Sequence, residues 1–203
     1  MNKRWAGSMV AGLAIALLAA VPAWAALSTG ATAPDFTATA SRAGQDFTFS
    51  LKQALAKGPV VVYFYPAAYT GGCDLEAHTF ATEMDKFRKA GTTVIGVSAD
   101  SIARLNQFSS DPNYCAGKFA VASDPDGRIA TQYGLKMVPP QKGVTDVTGK
   151  AVTHGFFPRT TFVLARDGKV VKVLSSTADH LTPDQHVKHS LAIVEQLQAG
   201  KAP

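Results

Sequence analysis

The sequence predicts one α/β sandwich, a central mixed sheet with helices on both faces, and three observations carry that prediction. Val60–Phe64 is an unbroken apolar run of β-branched and aromatic residues, the pattern of a strand buried on both faces. Directly after it the apolar period changes. Cys73, Ala77, Phe80, Met84 and Phe87 are spaced by four and three residues, along one face of a helix. Further strands and helices then alternate, and the chain closes with a hairpin and a last helix.

In chain order, the first segment has the form of a targeting signal. Lys3 and Arg4 precede an apolar stretch from Met9 to Val21, and Ala23-Trp24-Ala25 has the small-x-small form of a signal-peptidase site. The expected division is a signal peptide over residues 1–25 and a single domain over residues 26–203, long enough for one sizeable core. An uncleaved membrane anchor is the competing reading, because the apolar span approaches the length that crosses a bilayer. Export implies a periplasmic or secreted protein, with no stable membrane association once the segment is removed. The 20 Lys and Arg against 15 Asp and Glu give a net charge of +5, and loss of Lys3 and Arg4 lowers it to +3. No Lys/Arg cluster with interleaved aromatics occurs, so nucleic-acid binding has no support.

Residues 37–55 read as a strand or hairpin running into a short helix at Leu51–Leu55, ended by Lys57-Gly58-Pro59. The helix that begins at Cys73 runs to about Lys89, with Gly91 as its stop. Thr93–Ser98 is a second strand. Asp100–Phe108 is a helix with Ile102, Leu105 and Phe108 on one face, and Ser109–Gly117 is a polar loop that carries Cys115. Phe119–Ala122 is a strand, Asp124-Pro125-Asp126-Gly127 a turn, and Arg128–Tyr133 a short helix. Residues 136–155, with Pro139-Pro140 and Gly143, form a long loop or hairpin. Thr161–Leu164 and Val170–Leu174 pair across Asp167-Gly168. Thr182 caps the last helix, with Pro183 in its first position and Gln185 completing a capping box.

One cysteine dominates the chemistry. Cys73 follows a strand and a glycine-bearing turn and lies in the first helical turn. Free amide N–H groups and the positive end of the helix dipole favour a thiolate there, and the thiolate is the nucleophilic form.

The spacing Pro66-x-x-x-Thr70-x-x-Cys73 resembles the active-site signature of the peroxiredoxins of AhpC/TSA type, thiol peroxidases on a thioredoxin-like fold. Glu76 fits the same pattern, and Ala33-Pro34-Asp35-Phe36 is similar to the family's opening segment. Arg159–Leu164, followed by Asp167-Gly168-Lys169, is similar to the strand and turn that carry its second active-site cation. Order and spacing agree from about Ala31 to Leu197. The resemblance implies a thioredoxin-like sandwich that reduces hydrogen peroxide or alkyl hydroperoxides with no metal or organic cofactor.

It also implies roles. Cys73 is the nucleophile, and Arg159 is a permanent cation offering two donors. The Thr70 hydroxyl bonds the thiolate or the peroxide, and Pro66 shapes and shields the turn. Cys73 would pass to a sulfenic acid, a second thiol would condense with it, and a thioredoxin-like or small-thiol reductant would restore both. The bacterioferritin-comigratory branch often places its resolving cysteine five residues after the first, a position held here by His78. Cys115, the other cysteine, is the favoured resolver; an intermolecular disulfide or an outside thiol are the alternatives. The active unit would be a monomer or homodimer.

Blander readings stand beside these. Two cysteines in an exported protein also suit a permanent disulfide, and Arg159 alone suits a surface salt bridge. Glu76 reads as a first-turn helix stabiliser or an interface contact, and Thr70 also as a helix cap. His186 and His189 read as a solvated helix face, and Phe162 as a core residue that also lines the pocket. An exported thiol–disulfide oxidoreductase and a non-enzymatic redox sensor are the rival functions. The sequence Cys73-Asp74-Leu75-Glu76 lacks the Cys-x-x-Cys of the former.

Overall fold

The computed structural model describes residues 27–201, and the expected signal segment with its cleavage site lies outside them. β1 (Thr37–Arg42) and β2 (Gln45–Ser50) form a hairpin that runs into α1 (Leu51–Lys57). β3 (Val60–Phe64), α2 (Gly71–Lys89), β4 (Thr93–Ser98), α3 (Ile102–Ser110), β5 (Ala120–Ser123) and α4 (Arg128–Gln132) follow. After a long irregular segment come β6 (Thr160–Leu164), β7 (Val170–Ser175) and α5 (Pro183–Gln198). The seven strands make one sheet in the order β2-β1-β5-β4-β3-β6-β7. β3, β4 and β5 run parallel, while β1 and β6 pair antiparallel with their neighbours, so the sheet is mixed.

Strand alternation divides the core into two layers. Val60, Val62 and Phe64 face a cluster closed by Leu51 and Ala54 of α1 and by Ile129 and Ala130 of α4. Val61 and Tyr63 face the opposite cluster, closed by α2, α3 and α5 through Phe80, Phe87, Leu105, Phe108 and Val187. All of β3 is buried, which is why its sequence shows no polar alternation. Gly96 on β4 makes room for the Tyr63 ring, since a Cβ there would lie 2.6 Å from it. Phe162 corrects one expectation. It packs on Phe64 and Tyr133 in the layer of α1 and α4, across the sheet from α2, so it does not face Cys73.

The helix ends follow their local chemistry. Gly91 takes a left-handed φ of +65° and Thr92 N–H donates to the Phe87 carbonyl at 2.9 Å, the Schellman closure of α2. Gln185 Oε1 accepts from Thr182 N–H at 2.8 Å at the start of α5. Between α4 and β6 the chain makes isolated bridges, Val138 with Phe156 and Thr145 with Ala151, as the long loop predicts.

Candidate active site

Phe64 ends β3, and the chain turns through Pro66 and Thr70 before entering α2 at Gly71. Thr70 is the N-cap residue in extended backbone, and Cys73 N–H donates to its carbonyl at 2.7 Å. The Thr70 hydroxyl makes no cap bond; it donates to the Ala67 carbonyl at 2.8 Å. Cys73 itself is 3% exposed.

Antiparallel pairing brings the start of β6 beside the end of β3, with Phe64 opposite Thr160. Arg159, the residue before β6, is thereby delivered to the turn that carries Cys73. Its Nη2 donates to Cys73 Sγ at 3.2 Å, and its Nη1 donates to Glu76 Oε2. The guanidinium therefore bridges two positions of one helical turn, the fork geometry that a lysine cannot reproduce. It lies along the helix N-terminus beside Gly72, where a Cβ would come within 3.3 Å of Nη2 and 3.4 Å of Pro183 Cγ.

Burial sets the charge states. Glu76 is fully buried, and burial pushes its carboxyl up to about 7 against the pull of Arg159. Its Oε1 has no hydrogen-bond partner, a cost that a proton on the carboxyl reduces. Burial pushes the Cys73 thiol up as well. Arg159, the Ala67 backbone and the Thr70 hydroxyl pull it back, and Glu76 adds a small upward push. The net direction is upward, unlike the lowering that the helix position and a cation alone imply. Neither of those sequence features registers how little water reaches the sulfur. A proton on Glu76 leaves the guanidinium charge to the sulfur.

The turn before Cys73 is pinned from outside. Ala68 N–H donates to Asp100 Oδ2 at 2.8 Å, which also accepts the Ser98 hydroxyl at 2.8 Å. Asp100 Oδ1 bonds His154 Nε2 at 3.1 Å, tying the turn to the long loop. Tyr69 has φ +61°, a conformation rare for aromatic residues, and its surroundings hold it there. The Arg104 guanidinium lies 4.1 Å above its ring, and its carbonyl accepts Val147 N–H at 2.9 Å. Arg104 is in turn paired with Asp146.

Cys115 lies in the turn after α3 and is fully buried. Both cysteines are free thiols and share one apolar cluster on the α2 side of the sheet. The Cys115 turn is fastened to the neighbourhood of Cys73. His78 Nδ1–H donates to the Asn113 carbonyl at 3.0 Å, and Tyr114 packs edge-on against Tyr69 with ring centroids 5.1 Å apart. Burial, with Asp111 and Asp74 nearby, pushes the Cys115 thiol well up.

A profile of the AhpC/TSA family matches residues 29–173. The chain belongs to that family. It is a thiol-dependent peroxidase of the peroxiredoxin class, an oxidoreductase on a thioredoxin-like fold. The chloroplastic peroxiredoxin Q of Oryza sativa subsp. japonica is 32% identical over 172 residues, 84% of this chain and 68% of that protein. Peroxidoxin BcpB of Mycobacterium tuberculosis superposes with a TM-score of 0.67 at 28% identity, over 83% of this chain and 97% of that one. The bacterioferritin comigratory protein of Xanthomonas campestris, a structure that concerns alkyl peroxide reduction, gives 0.62 at 25% identity, over 80% and 92% of the two chains.

Sequence reasoning under-read three residues of this family member. Glu76, expected as a first-turn helix stabiliser or an interface contact, is the buried partner of Arg159. Its position three residues after Cys73, on the stripe with Ala77 and Phe80, is the signal, since a carboxylate on an apolar stripe needs a cation. His186 is fully buried rather than solvated, and only His189 of that pair is exposed. Asp100 carried no signal, because its partners Ala68 and His154 are 32 and 54 residues away.

Proposed function

We propose that this peroxidase works through Cys73, with Arg159, Thr70 and Pro66 forming the peroxide site and Cys115 resolving the product within the chain. The observation that carries the reading is the guanidinium of Arg159, donating to Cys73 Sγ while Glu76 holds its other nitrogen. The Cys73 thiolate bonds the terminal oxygen of hydrogen peroxide or an alkyl hydroperoxide, and the O–O bond breaks. The departing oxygen takes a proton and leaves as water or an alcohol, and Cys73 becomes a sulfenic acid. Arg159 Nη2, which donates to Cys73 Sγ, supports the reading that this nitrogen donates to the oxygen on which charge develops. The Thr70 oxygen, whose proton is directed at Ala67, keeps lone pairs to accept the peroxide O–H. Pro66, half-buried at the start of the turn, closes its outer side.

Cys115 then attacks the sulfenic sulfur, expels water and forms a Cys73–Cys115 disulfide. Both thiols are buried, so the first turn of α2 and the Cys115 turn open for that step. A thioredoxin-like or small-thiol reductant restores the dithiol by exchange. The Lys3 to Ala25 segment directs the protein to the periplasm or outside the cell, where it acts as a monomer or homodimer.

One experiment tests the cycle. One equivalent of hydrogen peroxide is added to the reduced chain, followed by intact mass and tryptic mapping. Loss of two hydrogens with a linked Cys73–Cys115 peptide in the monomer is the expected result. Added oxygen on Cys73 with Cys115 still free transfers the resolving step to an outside thiol. No mass change within seconds overturns peroxide attack at Cys73.

A further inference from the structure

We propose that His186 is a positioning residue for Arg159, holding through Thr161 the strand that Arg159 leads into and through Ser176 the segment hydrogen-bonded to the Arg159 carbonyl. The inference rests on Arg159 serving Cys73 as described above. His186 lies in the first turn of α5, yet it is fully buried and both its ring nitrogens are used. Nδ1 bonds Thr161 Oγ1 at 2.9 Å, and Nε2 bonds Ser176 Oγ at 3.0 Å.

The direction of each bond follows from the donor inventory. The Ser176 hydroxyl spends its proton on the Leu181 carbonyl at 2.9 Å, so its oxygen accepts from Nε2–H. In the neutral ring Nδ1 carries no proton and accepts from the Thr161 hydroxyl. The imidazole is a neutral link in one ordered chain, Thr161 to His186 to Ser176 to Leu181.

Both residues that His186 bonds lie close to Arg159. Thr161 follows it by two residues on β6, and Ser176 N–H donates to the Arg159 carbonyl at 3.2 Å. α5 also borders the same glycine as the guanidinium, because a Cβ on Gly72 would lie 3.4 Å from Pro183 Cγ and 3.3 Å from Nη2. β6, the segment after β7, and α5 thus meet at the Arg159 backbone, and His186 on α5 joins the other two. Charge is consistent with this role. Burial first, then Arg159 and His189, hold the imidazole down to about 4, while Asp179 opposes them, so it stays neutral beside the cation.

A histidine that only fills the core would change stability and leave the chemistry of Cys73 alone. The test uses the full chain carrying Cys115→Ser, in which Cys73 is the single thiol. It reads the pH midpoint of Cys73 alkylation by iodoacetamide and the rate of sulfenic acid formation by quenched-flow mass spectrometry. Arg159→Ala sets the scale by raising the midpoint. His186→Leu is expected to raise it by about one unit and to slow oxidation about tenfold. His186→Gln, whose amide N–H can take the place of Nε2–H, is expected to recover most of both.

Wild-type midpoint and rate in a natively folded His186→Leu protein overturn the inference, as does a Gln variant no better than Leu. If the Leu protein fails to fold, Ser176→Ala replaces it, with a smaller shift in the same direction expected and none refuting. An Arg159→Ala protein with an unmoved midpoint removes the reading underneath instead.

Discussion

Replacing Arg159 by alanine removes the cation that donates to Cys73 Sγ at 3.2 Å. At an effective dielectric of about 20, unit charges at that separation attract by about 5 kcal/mol, an upper figure because water enters the space left behind. A lost charge-assisted hydrogen bond gives a lower figure of about 1.5–3 kcal/mol. Taking about 3 kcal/mol, at about 1.4 kcal/mol per unit, raises the Cys73 midpoint by about two units. Glu76 returns only a part of this. Its carboxyl, already at about 7, protonates without its partner and stops opposing the thiolate.

The thiolate population at pH 7 then falls about a hundredfold. The missing donor to the departing oxygen costs about another hundredfold. Dividing each rate by the thiolate fraction from the alkylation titration separates these factors, since only the second persists per thiolate. The assay is quenched-flow mass spectrometry of Cys73 oxidation together with an alkylation titration. Fluorescence offers no substitute, because both tryptophans, Trp5 and Trp24, lie in the expected signal segment. A folded Arg159→Ala protein with a midpoint within half a unit and a rate within about threefold of wild type would refute the electrostatic argument.

Three further outcomes follow from the same geometry. Glu76 is raised from 4.5 to about 7, so its stabilising contribution is complete below its ordinary value and is lost as pH rises through about 7. Urea unfolding should show a loss of about 2–3 kcal/mol between pH 5 and 8 from this residue. Glu76→Gln cannot ionise and should flatten that slope; equal slopes in both proteins would count against the buried-carboxyl reading. Gly96→Ala places a Cβ 2.6 Å from the buried Tyr63 ring and should cost about 1–3 kcal/mol by denaturant midpoint. An unchanged midpoint there would show that the two strands yield freely. Cys115→Ser should keep the wild-type rate of first oxidation, lose the linked peptide, and progress to sulfinic acid in excess peroxide. A slowed first oxidation would place Cys115 in the peroxide step itself.

The sequence alone determined the local features of this protein. The continuous burial of β3 was legible in Val60–Phe64, and the start of α2 in the change of period after it. The C-terminal stop of α2 was visible at Gly91, and the capping of α5 at Thr182, Pro183 and Gln185. These depend on neighbours within a few residues, where backbone geometry and side-chain spacing act directly. Cys73 was legible for the same reason, through its place in the first helical turn. The long-range partnerships were decided by tertiary structure. Glu76 and Arg159 are 83 residues apart, and their pairing exists because β3 and β6 run antiparallel and bring Arg159 to the end of β3. His186 became a buried neutral link rather than a solvated histidine only when α5 packed against β6 and β7. Burial also set the protonation of Cys73 and Glu76, because the cost of a charge depends on the water excluded by the whole fold, which no local pattern records.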